Sequence, residues 1–362
     1  MNPYTSLEER AFWAPSVGRR EALDIAQLWN PKFHLKRQHK IAAFGSCFAQ
    51  HFGRALAARG YNWMSTEDAP AGLSEEDAKA YNYGIFTSRT ANIYTVSLLR
   101  QWAEWALGKS TPPEEYWEKG GRIYDPFRPA IEPGGFASIE EMRASREVTI
   151  DAFGRAMRDC NLFVFTMGLT ESWFNKIHGY EYPMCPGTIA GTFDESEHEF
   201  VNQRYPFIRK NLKEFLRLLR EANRKARVLL TVSPVPLTAT KSGNHVLVAT
   251  TESKSTLRAV AGEIADSMAK VDYFPSFEII SSAPFGGRFY EANKRSVRMD
   301  GVDHVMKNFF DCMYAKFDPG RLGTGAGEGK AAPGSAEADT DVKTDDDLVC
   351  EEEILAAFGD RG

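Results

Sequence analysis

Lys40-Ile-Ala-Ala-Phe-Gly-Ser-Cys-Phe-Ala49 is the stretch whose reading decides the fold. Four apolar residues, Ile41 to Phe44, stop abruptly at Gly45, and Ser46 and Cys47 follow at once. Phe48, Phe52, Leu56 and Arg59 then fall three or four apart. This pattern predicts a short buried strand, a tight glycine turn and the start of an amphipathic helix. Such a turn lifts a hydroxyl or thiol above a sheet edge, where a helix N-terminus stabilises negative charge. The same residues also suit an ordinary strand-to-helix turn, with Ser46 as N-cap and Cys47 as small buried filler.

Working outward, three more apolar runs read as strands: 161–166, 227–232 and 271–274. Helical spacing is expected near 90–107, 148–159, 205–223, 254–269 and 302–316. Strands alternating with helices of this length predict an α/β fold, a three-layer α/β/α sandwich around a mostly parallel sheet. In such folds ligands sit beyond the carboxyl ends of the strands. Three of the four strands end there in polar, conformationally restricted clusters: Gly45-Ser-Cys47, Gly168-Leu-Thr-Glu171 and Ser233-Pro-Val-Pro236.

The remaining segments set the organisation. Residues 1–39, rich in Trp, Pro, Arg and His, read as an arm lying across a domain at 40–317. Insertions are expected at 108–146, with a short hairpin, and at 174–203, rich in Gly and Pro. Residues 318–347 read as a disordered acidic linker. Residues 348–359 regain helical periodicity, for docking back on the domain or for a protein partner.

The chain has 362 residues, 43% hydrophobic and 12% aromatic, enough for one large core. A net charge of −5 with scattered basic residues argues against nucleic acid as a partner. No apolar run approaches the roughly 20 residues that span a bilayer. The polar, acidic N-terminus is unlike a signal peptide. The five cysteines show neither paired CxxC metal spacing nor a disulfide framework, so the expected compartment is the cytoplasm and no metal is expected.

Gly45-Ser-Cys-Phe-Ala49 carries a wider resemblance. With the blocks at 82–86, 231–235, 253–254 and 273–278, the chain resembles the GSCFA-domain family, itself placed by similarity among the SGNH or GDSL hydrolases and acyltransferases. The resemblance implies an SGNH-hydrolase-like, flavodoxin-like sheet with a nucleophile after the first strand and oxyanion donors at later strand ends. By position, Cys47 takes the nucleophile's place and Ser46 that of the superfamily's aspartate, which leaves thiol and hydroxyl both as candidates. Gly84, near Asn82, resembles the second-block glycine. Gly168 and Thr170 take the places of later oxyanion donors, beside Gly45 and Glu171 on the substrate side. The superfamily histidine lies three residues after an aspartate, before the last helix. Asp300-Gly-Val-Asp-His304 has one residue too many for that spacing, and His245 competes for the role.

Acyl transfer needs a nucleophile, a base, a group to orient the base and donors for the oxyanion. A cysteine at a helix N-terminus tolerates a mediocre base better than a serine does. The residues thus point to an esterase-like hydrolase or an O-acyltransferase acting on a carbohydrate or glycan-type substrate. A transferase would use an acyl donor such as acetyl-CoA, and no other cofactor is implied. The competing reading is a catalytically inactive binding or scaffold protein, favoured by the altered Asp–His spacing and the acidic tail. Other candidates have structural explanations. Thr170 and Glu171 would cap a following helix, Ser233-Pro234 would stop a strand, and Lys254 would start a helix.

Overall fold

The structure is a computed structural model and describes residues 2–321 and 354–359. The chain divides into two compact units, Arg37–Tyr273 with Leu348–Gly362 and Met1–Lys36 with Phe274–Asp347. The acidic linker expected at 318–347 lies, beyond Arg321, outside the described residues.

The larger unit opens with β1 (Ile41–Gly45), α1 (Phe48–Ala58), α2 (Glu75–Ala80) and α3 (Val96–Ala106). A hairpin of β2 (Trp117–Lys119) and β3 (Arg122–Tyr124) precedes α4 (Ile139–Asp159) and β4 (Leu162–Met167). Three short strands follow, β5 (Glu171–Asn175), β6 (Glu181–Tyr182) and β7 (His198–Asn202). Then come α5 (Tyr205–Ala222), β8 (Arg227–Val232), α6 (Val246–Ser267) and β9 (Val271–Tyr273). The central sheet has the order β1-β4-β8-β9, and every pair is parallel. Its strands are buried almost throughout, the unbroken apolar pattern of a parallel sheet covered on both faces.

Phe44 packs against Phe153 of α4 and stacks on Phe163, which meets Phe215 of α5 at 5.1 Å. Helices α3, α4, α5 and α6 adjoin one another as one outer layer, and α1 packs on β1 and β4 as the other. The result is the expected α/β/α sandwich. After α1 the chain returns beside β1 on its outer edge, where Ile41 forms a parallel bridge with Trp63 and Met64 N donates to Ile41 O at 2.8 Å. Later crossovers proceed to β4 on the other side. Successive connections therefore diverge at β1, which puts the crevice of a doubly wound sheet at its carboxyl end.

Both insertions hold more structure than their composition promises. The first, which carries the expected hairpin, is anchored by a buried ionic cluster. Asp125 pairs with Arg128 at 2.8 Å and Arg146 at 2.9 Å, and Arg128 is wholly buried. Thr149 accepts from Arg128 and donates to Glu67 at 3.0 Å, joining this cluster to a Glu67–Arg89 pair. The second excursion forms an antiparallel sheet of order β6-β5-β7. Because β5 begins at Glu171, no helix follows for Thr170 and Glu171 to cap, and that expectation is corrected.

Helix starts also shift, for reasons of capping. Thr95 accepts from Leu98 N, so α3 starts at Val96 and 90–95 stays irregular. Ser138 caps α4, which starts at Ile139, nine residues ahead of 148, where Glu, Met, Arg and Ala favour helix without marking an apolar stripe. His245 caps α6, which makes Lys254 a mid-helix residue rather than a helix start.

The smaller unit contains α7 (Ser276–Ser281) and α8 (Met299–Phe317) with short turns near the N-terminus. Trp29 stacks on Phe309 at 5.1 Å and meets Phe274 edge-on at 5.2 Å. His34 bonds Asp318 at 2.8 Å, and Lys316 donates to Asn30. The N-terminal arm thus packs with α8. In the larger unit, the last described residues form α9 (Ala356–Gly359). Among the described residues no helix is long and apolar enough to cross a membrane.

Candidate functional site

The polar clusters at the ends of β1 and β4 form one corner, since these strands are neighbours and Gly45 lies opposite Thr166. Gly45 has φ 134°, and a Cβ there would sit 2.3 Å from Thr166 O. Only glycine lets the chain turn so close to β4. Ser46 N still donates to Thr166 O at 3.1 Å, so the ladder runs one residue past the strand. Its hydroxyl is buried without a hydrogen-bond partner among the described residues, as is that of Thr166. A Cβ on Gly168 would lie 3.2 Å from Ser46 Cβ, so the Ser46 side chain sits under that glycine.

Ser46 is therefore not the N-cap of α1. Cys47 occupies that position with helical backbone angles and no side-chain capping bond. It is 5% exposed, and none of the four described cysteines forms a disulfide. Ala49 N and Gln50 N bond back to Ser46 O and Cys47 O. The amides of Cys47 and Phe48 stand at the helix start, where no intrahelical carbonyl serves them and the helix dipole favours negative charge.

The residues matched to oxyanion donors make hydrogen bonds that hold the corner together. Gly168 N donates to Tyr94 O at 2.9 Å and Thr170 N to Ser253 Oγ at 3.1 Å. Thr170 Oγ1 donates to Asn202 at 2.8 Å. Lys254, 2% exposed, extends from α6 to donate to Gly168 O at 2.7 Å. Glu171 is bound by Thr240, and burial raises its carboxyl pKa. Asn82, in a left-handed conformation, spans to the first insertion by donating to Ile131 O at 3.1 Å, and Gly84 is an exposed turn residue with φ 70°.

The histidine candidates occupy different settings. His245 is exposed, and its Nδ1 accepts from Leu247 N at the start of α6. Nine residues separate it from Lys254, about 13 Å along the helix. In the smaller unit, His304 on α8 stacks on Phe289 at 5.0 Å, and its Nε2 lies 3.2 Å from the Asn308 amide. Burial lowers the His304 pKa, helped by Lys307 and Arg288. Asp300 pairs with Arg298 at the surface, at 3.0 Å.

Four residues gain roles that sequence reasoning missed. Asn92 is buried beside the end of β1, where Ile93 N donates to Gly45 O and Asn92 Oδ1 accepts from Gln50 at 3.2 Å. Its segment, 90–95, falls within the helical spacing expected for 90–107, so no local signal marks Asn92. Ser253 and Lys254 share the inward side of α6 with Leu257 and Ile264, so their spacing marks them as buried polar groups. His51, one turn beyond Cys47, is buried and its pKa falls to about 4, mainly from burial and then from Arg54. Among the described residues, no set of three His, Cys, Asp or Glu could hold a metal ion.

In the comparison with known families, residues 40–309 match the GSCFA family. No curated protein and no solved structure matches the chain.

Proposed function

Because this chain belongs to the GSCFA family, we propose that it is an acyl-transfer enzyme of the SGNH type, an esterase-like hydrolase or O-acyltransferase acting on a carbohydrate or glycan-type substrate. One observation carries this reading: Cys47 stands where β1 ends, at the divergence point of the sheet and the N-terminus of α1. Ligands collect at that point, and a developing thiolate or oxyanion is stabilised there. Ser46, buried under Gly168, fits a packing role better. The Cys47 sulfur would attack the acyl carbonyl and form a thioester as the alcohol leaves with a proton. Water or a sugar hydroxyl then takes the acyl group and regenerates the thiol. The amides at the start of α1 are the donors for the oxyanion. The resemblance assigns the base to His304 with Asp300, or to His245. A transferase would draw its acyl group from a donor such as acetyl-CoA.

The test is acyl-enzyme capture with p-nitrophenyl acetate, read by intact mass on the wild type, Cys47→Ala and Ser46→Ala. One acetyl group should appear on the wild type and on Ser46→Ala but not on Cys47→Ala. Acetylation that survives in Cys47→Ala would overturn the assignment. A binding protein without catalysis is the second reading, favoured by the engagement of Gly168 N and both Thr170 donors within the corner. It predicts no adduct on any of the three proteins.

A further inference from the structure

Next to the corner, Trp173 of β5 and Phe200 of β7 form a cross-strand pair with ring centroids 5.6 Å apart. Phe193 meets Trp173 edge-on at 5.5 Å. Two cavities share this aromatic wall. One, of about 180 Å³, lies among Tyr94, Leu169, Met184 and Leu237. The other, of about 640 Å³, runs past Cys185, Thr188 and Phe193. Leu169 directly follows Gly168, so the smaller cavity borders the corner. Lys241 edges both cavities.

The C-terminal segment reaches this surface. Leu355 lines the smaller cavity and Phe358 the larger. They are three residues apart and so share one face of a helical turn. The segment is held lightly: Ile354 and Leu355 are half-buried, and Phe358 is 47% exposed. A four-residue helix has no stability of its own, so its docked form depends on these apolar contacts. Its aliphatic and aromatic side chains form part of the walls of the two cavities.

We propose that this double cavity binds an acyl chain, with Lys241 at the rim to meet a carboxylate, and that residues 354–358 are its resting occupant, a plug in cis that the ligand displaces. The site goes beyond the acyl-transfer reading and stands without it, since binding requires no nucleophile. Decanoate is a suitable probe, with affinity read by calorimetry on the full chain. The double variant Leu355→Asp/Phe358→Asp should bind decanoate at least tenfold more tightly than the wild type. A peptide of residues 351–359 added in trans should compete on that variant. In the same background Trp173→Ala should weaken binding at least tenfold. Phe193→Ala, at the exposed rim, should weaken it severalfold without disturbing the core. Equal affinity in wild type and double variant would overturn the plug. No binding to either, or binding indifferent to both Trp173→Ala and Phe193→Ala, would overturn the site. Every readout is equilibrium binding with Cys47 intact, so failure here and failure of the acyl-transfer reading are separate results.

Discussion

Glu181→Gln should make the protein more stable at pH 8 and leave it unchanged in acid. Glu181 is 1% exposed in β6. One carboxylate oxygen accepts from Thr95 Oγ1 and, at 3.3 Å, from Gln203, while the other has no partner among the described residues. Burial raises the carboxyl from its ordinary 4.5 to about 7, against the lowering effects of Ser97, Thr95, Arg100 and Gln203. At about 1.4 kcal/mol per tenfold change in proton affinity, ionising the buried group costs the fold about 3 kcal/mol. The folded carboxyl holds its proton more tightly than the unfolded one. Stability from this group is therefore greatest below pH 4.5, declines between pH 4.5 and about 7, and is flat above. Glutamine keeps an acceptor oxygen and the shape but cannot ionise. Urea unfolding of wild type and Glu181→Gln across pH 4 to 8 isolates the difference. The variant should gain about 3 kcal/mol over the wild type by pH 8. A difference that stays constant through that range, or a wild type more stable at pH 8, would refute the argument. The effect also reaches the corner, because Gln203 N donates to Thr170 O at 2.7 Å.

Further outcomes follow from the same contacts. Gly45→Ala, whose methyl would meet Thr166 O at 2.3 Å from a backbone at φ 134°, should cost about 3 kcal/mol or more and lower the thermal midpoint by many degrees. Lys254→Met removes the donor to Gly168 O and should cost about 1–3 kcal/mol in urea, with loss of any acyl-enzyme signal as the corner loosens. Asp125→Ala leaves Arg128 and Arg146 buried without their carboxylate and should destabilise by about 3–5 kcal/mol, checked by chemical denaturation.

Much of the architecture was legible because apolar runs in a buried parallel sheet are unbroken. The stretches 161–166 and 227–232 coincide closely with β4 and β8. The strand-end clusters were legible for a related reason: Gly45 marks a place where backbones approach too closely for a side chain, and Gly168 one where a side chain would be tight. What composition concealed was short antiparallel pairing. Glu171–Asn175 and His198–Asn202 carry Trp173 and Phe200 among polar residues, and Gly and Pro around them read as loop. Helix starts were hidden where caps rather than apolar stripes define them, as at Ser138 and His245. Hydrogen-bond commitment was not legible at all. Whether Gly168 N faces a ligand or the Tyr94 carbonyl depends on where 90–95 crosses the sheet, and no local pattern encodes that.

The corner divides its labour between two sets of residues. Gly45, Gly168, Ser253 and Lys254 keep the backbone in place, whereas Ser46 and Cys47 contribute no side-chain cap to the helix they begin. Reactivity and scaffold can accordingly drift apart over evolutionary time. A descendant that exchanged its sulfur for oxygen, or abandoned turnover altogether, would inherit the same crevice ready-made, with the groove beside it free to acquire another guest.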